Sequence, residues 1–328
     1  MSSCADTSRE PAIARIAFIG QQDFGKAVLE AFLARGDTIA GVFCAPDKPG
    51  AKADVLKTDA LARDLPVFSF ASLRSAEAEA AMRSLDADIG IMAYVLQFAP
   101  QSFVNIPRAG TIQFHPSLLP RHRGPSSISW PIALGARETG ITIFRPNDGL
   151  DEGPIVLQKS CAIGRDETLG EVYFNKLFPL GVQGLLEATD AVLAGRHEER
   201  AQEERRATYE GWMHDAECEI HWPGHVDTIY NLIRACNPAP GAWMMLAGTK
   251  VRVYDCRKHV VGRFVSRGHK PGDVAGVSED SIVIWAQGGL VEILKLRPDG
   301  AGKMGAGDFA RQQGWAISNE WRSWVRAA

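Results

Sequence analysis

The strongest constraint on the fold is a regular alternation of short apolar runs and helical segments in the first part of the chain. Apolar runs of strand length lie at residues 15–20, 39–44, 89–94 and 110–115. Helical segments at residues 24–35 and 76–85 lie between them. Because strands that alternate with helices form a parallel sheet covered on both faces, this pattern predicts an α/β domain with a parallel sheet.

The pattern changes near residue 200, where a charged segment at 196–206 is expected to form a linker or a solvated crossover. Beyond a helical segment at 226–236, short β-rich runs lie at residues 250–254, 273–277, 281–285 and 290–294. Short strands at regular spacing predict a small β-barrel. The sequence therefore predicts a disordered tail at 1–14, a larger α/β domain at 15–206 and a smaller, OB-like β-barrel domain at 207–328.

Composition narrows the class of protein. The formal net charge of −3 gives no general attraction for nucleic acid. The six cysteines form no C-x-x-C pair, which favours reduced thiols over a disulfide framework or a metal finger. No uninterrupted apolar run approaches the roughly 20 residues that cross a bilayer. We therefore expect a cytoplasmic protein that does not bind a membrane.

Several common cofactor and metal motifs are missing from the sequence. The glycine-rich turn at residues 20–25 lacks the G-x-G-x-x-G spacing of a nicotinamide site, so NAD is not expected, and the segment is either a plain tight turn or a ligand loop. The chain contains no G-x-S-x-G elbow, P-loop or H-E-x-x-H zinc motif. His214, His221 and His225 lie close together, but a Pro-Gly pair separates the last two, so no metal site is expected there.

The segment from residue 113 to residue 153 carries the candidate chemistry. His115 lies where an apolar strand ends and a proline-rich loop begins. Asp151 lies in a second loop, which follows a predicted strand at 141–144. Because sites collect at the carboxyl ends of parallel strands, adjacent strands are expected to bring the two side chains together as a general acid–base pair. The alternative is that His115 is structural and that Asp151 caps a turn.

The motifs around these two residues resemble those of a known family. Ser-Leu-Leu-Pro-Arg-His-Arg-Gly at 117–124 and Gly-Leu-Asp-Glu-Gly at 149–153 are similar to the signature of the folate-dependent formyltransferases. The residues at 115–124 are most similar to the 10-formyltetrahydrofolate hydrolase branch of that family. Similar motifs extend from about residue 15 to about residue 320. The resemblance implies a Rossmann-like parallel sheet domain followed by a smaller β-barrel domain.

The resemblance also implies roles for single residues. The family's catalytic histidine and aspartate fall on His115 and Asp151, and its asparagine falls on Gln113. In the transferases that asparagine helps to hold the formyl oxygen. Compared with asparagine, glutamine places its amide one methylene further from the main chain. The resemblance also implies that the hydrolase branch tolerates residues other than asparagine at this position. Gln113 therefore favours hydrolysis over transfer to a bulky amine.

A folate-binding pocket is implied at two loops. The residues expected to contact the pterin are Leu96, Gln97, Phe98 and a loop at 147–151 that contains Asn147 and Asp148. Apolar walls with a few aimed polar groups suit a flat heterocycle. The alternative is that Leu96 and Phe98 belong to the hydrophobic core.

The formyl acceptor is open between water, a small amine or amino sugar, and an aminoacyl-tRNA. The tRNA-modifying relatives have a longer basic loop after the second strand, whereas the corresponding segment at 46–54 is short and only mildly basic. Because phosphate contacts supply most of the affinity for nucleic acid, tRNA is disfavoured. We expect hydrolysis of 10-formyltetrahydrofolate to formate and tetrahydrofolate. The alternatives are formyl transfer to a small amine and a folate-binding sensor with weakened chemistry, and the oligomeric state stays open.

Overall fold

The computed structural model describes residues 14–47, 49–261 and 268–326, which form two compact units. Within the described residues, the first unit comprises 14–123, 140–160 and 177–209, and the second comprises 124–139, 161–176 and 210–326. The tail predicted at 1–14 lies outside the described residues except for Ala14. The predicted domain division at residue 206 stays a prediction.

Seven strands, which lie mainly in the first unit, form one sheet. They are β1 (Arg15–Gly20), β2 (Thr38–Cys44), β3 (Val67–Ser69), β4 (Ile89–Ala93), β5 (Thr111–His115), β6 (Glu138–Phe144) and β7 (Ile155–Ala162). Their order in the sheet is β3-β2-β1-β4-β5-β6-β7. The strands from β3 to β5 in this order pair in parallel. The predicted apolar runs correspond to β1, β2, β4 and β5, so the predicted parallel sheet is confirmed for this part of the fold.

Strand β6 is the exception, because it runs antiparallel to β5 with Gln113 opposite Phe144 and His115 opposite Thr142. The chain leaves β5 at His115 and enters β6 at Glu138, on the same edge of the sheet. An antiparallel neighbour can be reached in this way, whereas a parallel neighbour requires a crossover back to the starting edge. The prediction that β5 and β6 end at the same edge of the sheet is wrong.

The described α-helices are, in chain order, α1 (Gln22–Arg35), α2 (Val55–Ala62), α3 (Ala76–Ser84), α4 (Gln101–Val104), α5 (Ser129–Ala133), α6 (Leu169–Val172), α7 (Phe178–Leu193), α8 (Val226–Ala235), α9 (Ala306–Gln312) and α10 (Trp321–Arg326). Local residues set several of their ends. Helix α1 ends at Gly36, whose φ of 94° is the left-handed conformation that glycine adopts without strain. Helix α2 begins after Asp54, whose carboxylate accepts a hydrogen bond from Leu56 N at 2.9 Å.

Packing of the first unit decides which way the side chains of β5 point. The Phe114 ring stacks on Phe24 of α1 with 4.3 Å between ring centroids. Gly181 of α7 is so close that a Cβ there would lie 2.5 Å from the same ring. Phe114 therefore faces α1 and α7, and because side chains alternate along a strand, Gln113 and His115 face the other side of the sheet.

That other side packs against α3 and α4. Met92 of β4, the parallel register partner of Gln113, lies in a core cluster with Met82 of α3 and Phe103 of α4. The apolar residues thus anchor the sheet and helices beneath the polar end of β5. Burial of this kind stabilises a core by about 25 cal/mol per Å² of apolar surface removed from water.

The second unit contains an antiparallel sheet formed by β8 (Ala242–Leu246), β9 (Thr249–Val260), β10 (Val274–Val277), β11 (Ile282–Ala286), β12 (Gly289–Pro298) and β13 (Met304–Gly305). Its strand order is β10-β11-β12-β9-β8, with β13 paired to β12. Helix α8 packs on the sheet, with Ile229 and Ile233 in one core with Val251, Val253 and Ile293. The predicted smaller β domain is confirmed, and β8, α9 and α10 are additional to the predicted elements.

One of the histidines near the start of α8, His225, has a structural explanation. His225 Nδ1 accepts a hydrogen bond from Asp227 N at 3.2 Å, so this side chain caps the helix. Across the residues that the structure describes, no group of three His, Cys, Asp or Glu side chains could hold a metal ion. In the same ranges, no helix is both long enough and apolar enough to cross a membrane.

Candidate active site

His115, at the end of β5, is held in a defined orientation. Its side chain is buried, and its Nε2 lies 2.9 Å from the main-chain oxygen of His122. A carbonyl oxygen only accepts hydrogen bonds, so Nε2 must carry the proton and donate. The other ring nitrogen, Nδ1, lies 3.6 Å from Asp151 Oδ2. The ring therefore presents Nδ1 towards the carboxylate.

Asp151 reaches the histidine from a loop rather than from a strand end. Since β6 runs antiparallel to β5, the loop that follows it must turn back towards His115. The base of this loop is closed by a hydrogen bond from Arg145 N to Pro154 O at 2.9 Å. Asp151 is 7% exposed and has a φ of 55°. The structure thus brings His115 and Asp151 together, although not for the reason that the parallel-sheet argument gives.

Gln113 lies on the same face of β5 as His115, two residues earlier, and its side chain is half-buried. Within residues 14–47, 49–261 and 268–326, no group forms a hydrogen bond with its side-chain amide. An amide beside the His115 and Asp151 pair is a donor and an acceptor for a ligand. Whether it holds a formyl oxygen stays a prediction.

The loop that follows His115 is fastened to β6 by Thr142, which is fully buried. Thr142 Oγ1 donates a hydrogen bond to Ser117 O at 2.7 Å and accepts one from Leu119 N at 3.2 Å. It also accepts a hydrogen bond from Gln158 Nε2 at 2.9 Å. This hydroxyl therefore fixes the start of the loop whose His122 carbonyl orients the catalytic candidate. Sequence reasoning missed Thr142, since a threonine in a β-rich run has no distinguishing signal.

The charged segment at 196–206 is largely exposed, as expected for a solvated crossover, and it also forms hydrogen bonds with the Asp151 loop. Its main chain pairs with the start of β7, where Arg200 N donates to Ile155 O at 2.9 Å and Ile155 N donates to Arg200 O at 2.8 Å. Gln202 Nε2 donates to the main-chain oxygens of both Asp151 and Gly153. The segment contacts the loop by hydrogen bonds that no sequence periodicity reveals.

The predicted folate-binding residues on the first loop are largely at the surface. Leu96 is 59% exposed and Phe98 is 42% exposed, so the alternative that places both in the core is wrong. Gln97 Nε2 donates hydrogen bonds to Phe70 O at 2.9 Å and to Ala71 O at 3.2 Å. Gln97 therefore holds its own loop against the chain that follows β3, and a role in binding the pterin stays a prediction.

The second predicted folate-binding loop is joined to the first. Asn147 Oδ1 accepts a hydrogen bond from Gly149 N at 3.0 Å, which stabilises the turn. Asp148 Oδ1 accepts one from Gln101 N, at the start of α4, at 3.2 Å. Leu150 is 50% exposed, like the apolar residues of the first loop. Exposed apolar side chains on two connected loops beside a buried polar pair are typical of a ligand-binding surface.

Comparison with protein families gives two matches. A family model described as "Formyl transferase" matches residues 14–189, and one described as "Formyl transferase, C-terminal domain" matches residues 213–314. The first match spans both His115 and Asp151 as well as Gln113. The two matches together cover most of the described chain.

Curated relatives and solved structures extend this finding. The chain is 37% identical over 271 residues to cytosolic 10-formyltetrahydrofolate dehydrogenase of Mus musculus. The matched region covers 79% of this chain and 30% of the relative. It is 37% identical over 245 residues to the mitochondrial 10-formyltetrahydrofolate dehydrogenase of Homo sapiens. That matched region covers 73% of this chain and 26% of the relative. The chain thus spans less than a third of the length of these relatives.

Two solved structures share the fold at low sequence identity. HypX from Aquifex aeolicus in complex with tetrahydrofolic acid superposes with a TM-score of 0.65 at 17% identity, covering 94% of this chain and 49% of that one. An N-formyltransferase from Helicobacter canadensis, solved with folinic acid and dTDP-3-aminofucose, has a TM-score of 0.64 at 15% identity, covering 86% and 99%. Taken with the two family matches and the curated relatives, these similarities identify the chain as a member of the formyl transferase family.

Proposed function

We propose that this protein hydrolyses 10-formyltetrahydrofolate to formate and tetrahydrofolate, with His115 and Asp151 as its acid–base pair. The observation that carries the proposal is the position of His115 Nδ1, 3.6 Å from Asp151 Oδ2 in a buried site. The ring is oriented by the bond from Nε2 to His122 O, so only Nδ1 is directed towards a substrate. The curated relatives named as 10-formyltetrahydrofolate dehydrogenases support the choice of substrate.

The chemistry follows from these two groups. A water molecule attacks the formyl carbon, and Asp151 accepts a proton from that water as the carbon–oxygen bond forms. His115, protonated at Nδ1, donates a hydrogen bond to the formyl oxygen as negative charge develops there. The bond between the formyl carbon and the folate nitrogen then breaks, and Asp151 returns its proton to that nitrogen. Formic acid and tetrahydrofolate leave, the carboxylate is restored, and the formic acid loses its proton to solvent to give formate.

Gln113 supports water as the acceptor. Its amide lies on the same face of β5 as His115 and has no hydrogen-bond partner among the described residues, so it can orient the formyl oxygen or the water. The glutamine side chain is one methylene longer than asparagine and fills more of the space beside His115. A small nucleophile is less affected by that loss of space than a bulky amine.

The folate would bind at the two connected loops. The exposed Leu96, Phe98 and Leu150 side chains provide apolar surface for a flat heterocycle. Asp148 ties the second loop to the start of α4, just after the first loop, through Gln101 N. A folate carrying the formyl group here would present it to the buried pair. The expected cytoplasmic location also remains part of this proposal.

The segment after β2 supports a small acceptor over tRNA. Lys57 Nζ lies 2.5 Å from Asp47 Oδ2, so one of the few cations near this segment is already paired. The hydrogen bond from Lys57 holds the pKa of the Asp47 carboxyl below its usual value, as expected for a carboxylate paired with an ammonium group. Paired cations attract phosphates less than unpaired ones.

A second candidate function is formyl transfer to an amino sugar or another small amine. It is favoured by the shared fold with the Helicobacter canadensis N-formyltransferase, which was solved with an amino-sugar nucleotide. A third is folate sensing, in which Gln113 has weakened the chemistry. The three functions require the same folate surface. They differ in whether water, an amine or no nucleophile attacks the formyl carbon.

One experiment separates the three functions. The purified protein is incubated with 10-formyltetrahydrofolate alone, and tetrahydrofolate and formate are measured over many turnovers; a small amine, such as a nucleotide-linked amino sugar, is then added. Steady release of formate without amine is the expected result. Turnover only after amine is added would assign transfer, and tight binding without turnover in either condition would assign sensing.

A further inference from the structure

The Gln202 side chain has one orientation that satisfies all its neighbours. Its Oε1 accepts hydrogen bonds from Arg123 Nε at 3.2 Å and from Arg123 Nη2 at 2.9 Å. Its Nε2 donates to Asp151 O and to Gly153 O, both at 2.8 Å. A guanidinium only donates and a carbonyl only accepts, so the flipped amide would face four wrong partners.

Arg123 fixes this orientation because its own guanidinium is immobilised. The side chain is buried and forms a two-pronged ion pair with Glu204, with Nη1 at 3.0 Å from one carboxylate oxygen and Nη2 at 2.7 Å from the other. The hydrogen bond from Arg123 holds the pKa of the Glu204 carboxyl below its usual value, as expected for a carboxylate paired with a guanidinium. Paired, planar contacts of this kind are among the more rigid in proteins.

The segment to which Gln202 donates these bonds has an unusual backbone conformation. Asp151 has a φ of 55°, a left-handed conformation that residues other than glycine seldom adopt. Two residues later, Gly153 passes so close to Arg145 O that a Cβ would lie 1.6 Å from it. Such a backbone persists only when its surroundings hold it in place. The two bonds from Gln202 lie at both ends of this short segment.

We infer that Gln202 is a positioning residue for Asp151: its two donated hydrogen bonds hold the Asp151–Gly153 backbone so that the carboxylate stays beside His115 Nδ1. This inference rests on the proposed function, in which Asp151 is the base, and adds a residue that acts on it through the main chain. Arg123 and Glu204 fix the Gln202 amide, and Arg123 also forms an ion pair with Glu152 of the same segment, with Nη1 3.8 Å from Glu152 Oε1.

The substitution Gln202→Glu tests the donated bonds selectively. Glutamate has nearly the same shape and can still accept from Arg123, but it places an oxygen against the two carbonyls. We expect kcat for formate release to fall roughly 10- to 100-fold, as for a displacement of about 1 Å in a catalytic group, while KM changes little. Gln202→Ala, which also removes the donors, provides a second variant if the first folds poorly.

The matched control is Gln183→Glu. Gln183 lies on α7 and donates only to Glu187 Oε1 at 2.7 Å on the surface of that helix. The same chemical change there should leave kcat and KM at the values of the unmodified protein. A folded Gln202→Glu protein with unchanged kcat would overturn the inference, as would a loss confined to KM.

A structural measurement separates this inference from the proposed function. If the unmodified protein does not release formate, the proposed function fails, and the positions of the Asp151 carboxylate in crystals of the unmodified and Gln202→Glu proteins decide the inference. A shift of the carboxylate away from His115 in the variant would uphold the positioning role. An unchanged separation between His115 Nδ1 and Asp151 Oδ2 would overturn it.

Discussion

At the scale of single residues, the site is defined by which polar atoms are already hydrogen-bonded. His115 Nε2 is bonded to His122 O, and the Gln202 amide is bonded on both of its ends. We propose that His115 Nδ1, the Asp151 carboxylate and the Gln113 amide act on the substrate. These three residues are predicted from the sequence because they lie within or beside the motifs at 115–124 and 149–153.

The supporting residues could not be predicted from the sequence. Thr142 lies in an apolar strand and Gln202 in a charged run, where neither residue type stands out. Each matters because of a partner far along the chain: Thr142 bonds to Ser117 O, and Gln202 bonds to Asp151 O. Hydrogen bonds between distant segments leave no local periodicity to detect.

Thr142→Val tests whether one hydroxyl supports the loop after β5. Valine matches the shape of threonine but leaves Leu119 N and Ser117 O without their buried partner. We expect the free energy of unfolding to fall by about 1–3 kcal/mol, measured by urea denaturation, and kcat to fall because the His122 carbonyl is less well placed.

The control for that substitution is Thr189→Val. Thr189 is equally buried, but its hydroxyl donates only to Leu185 O, one turn earlier in α7. This variant should lose less stability and keep its kcat. Equal losses of stability in the two variants, with kcat unchanged in both, would show that the Thr142 hydroxyl is not a special support.

At the scale of elements, the local pattern predicts the existence of strands better than their direction. β1, β2 and β4 are almost entirely apolar, as expected for strands buried on both faces, whereas β5 alternates polar with apolar residues; both patterns are typical of strands. The direction of β6 is decided by how the chain returns after His115, which its seven residues do not encode. Short elements such as β8 are missed because Gly and Pro residues surround them.

Gly181→Ala tests how tightly α7 packs on β5. The added Cβ would lie 2.5 Å from Phe114 Cε2 and 2.9 Å from Phe24 Cζ, so the stacked rings must move. We expect a loss of about 1–3 kcal/mol in the free energy of unfolding, as for overpacking a buried contact. Gly302→Ala is the matched control, since a Cβ there would meet nothing within 4 Å. Equal stability of the two variants in urea denaturation would contradict this packing.

At the scale of the whole molecule, distant parts of the sequence meet in the first unit. Residues 14–123 contribute Gln113 and His115, residues 140–160 contribute Asp151, and residues 177–209 contribute Gln202. The family models match the chain as two successive blocks, 14–189 and 213–314. All residues that we propose to act on the formyl group therefore belong to one compact unit.

The most direct test of the central claim is the rate of formate release from 10-formyltetrahydrofolate by the unmodified protein and by His115→Ala and Asp151→Asn variants. Unfolding midpoints and affinity for a non-hydrolysable folate analogue are measured alongside, to show that each variant folds and binds. We predict that the unmodified protein releases formate steadily and that each variant is slower by roughly 10²- to 10⁴-fold, the usual contribution of a general acid or base. Release at the unmodified rate by either folded variant would contradict the account.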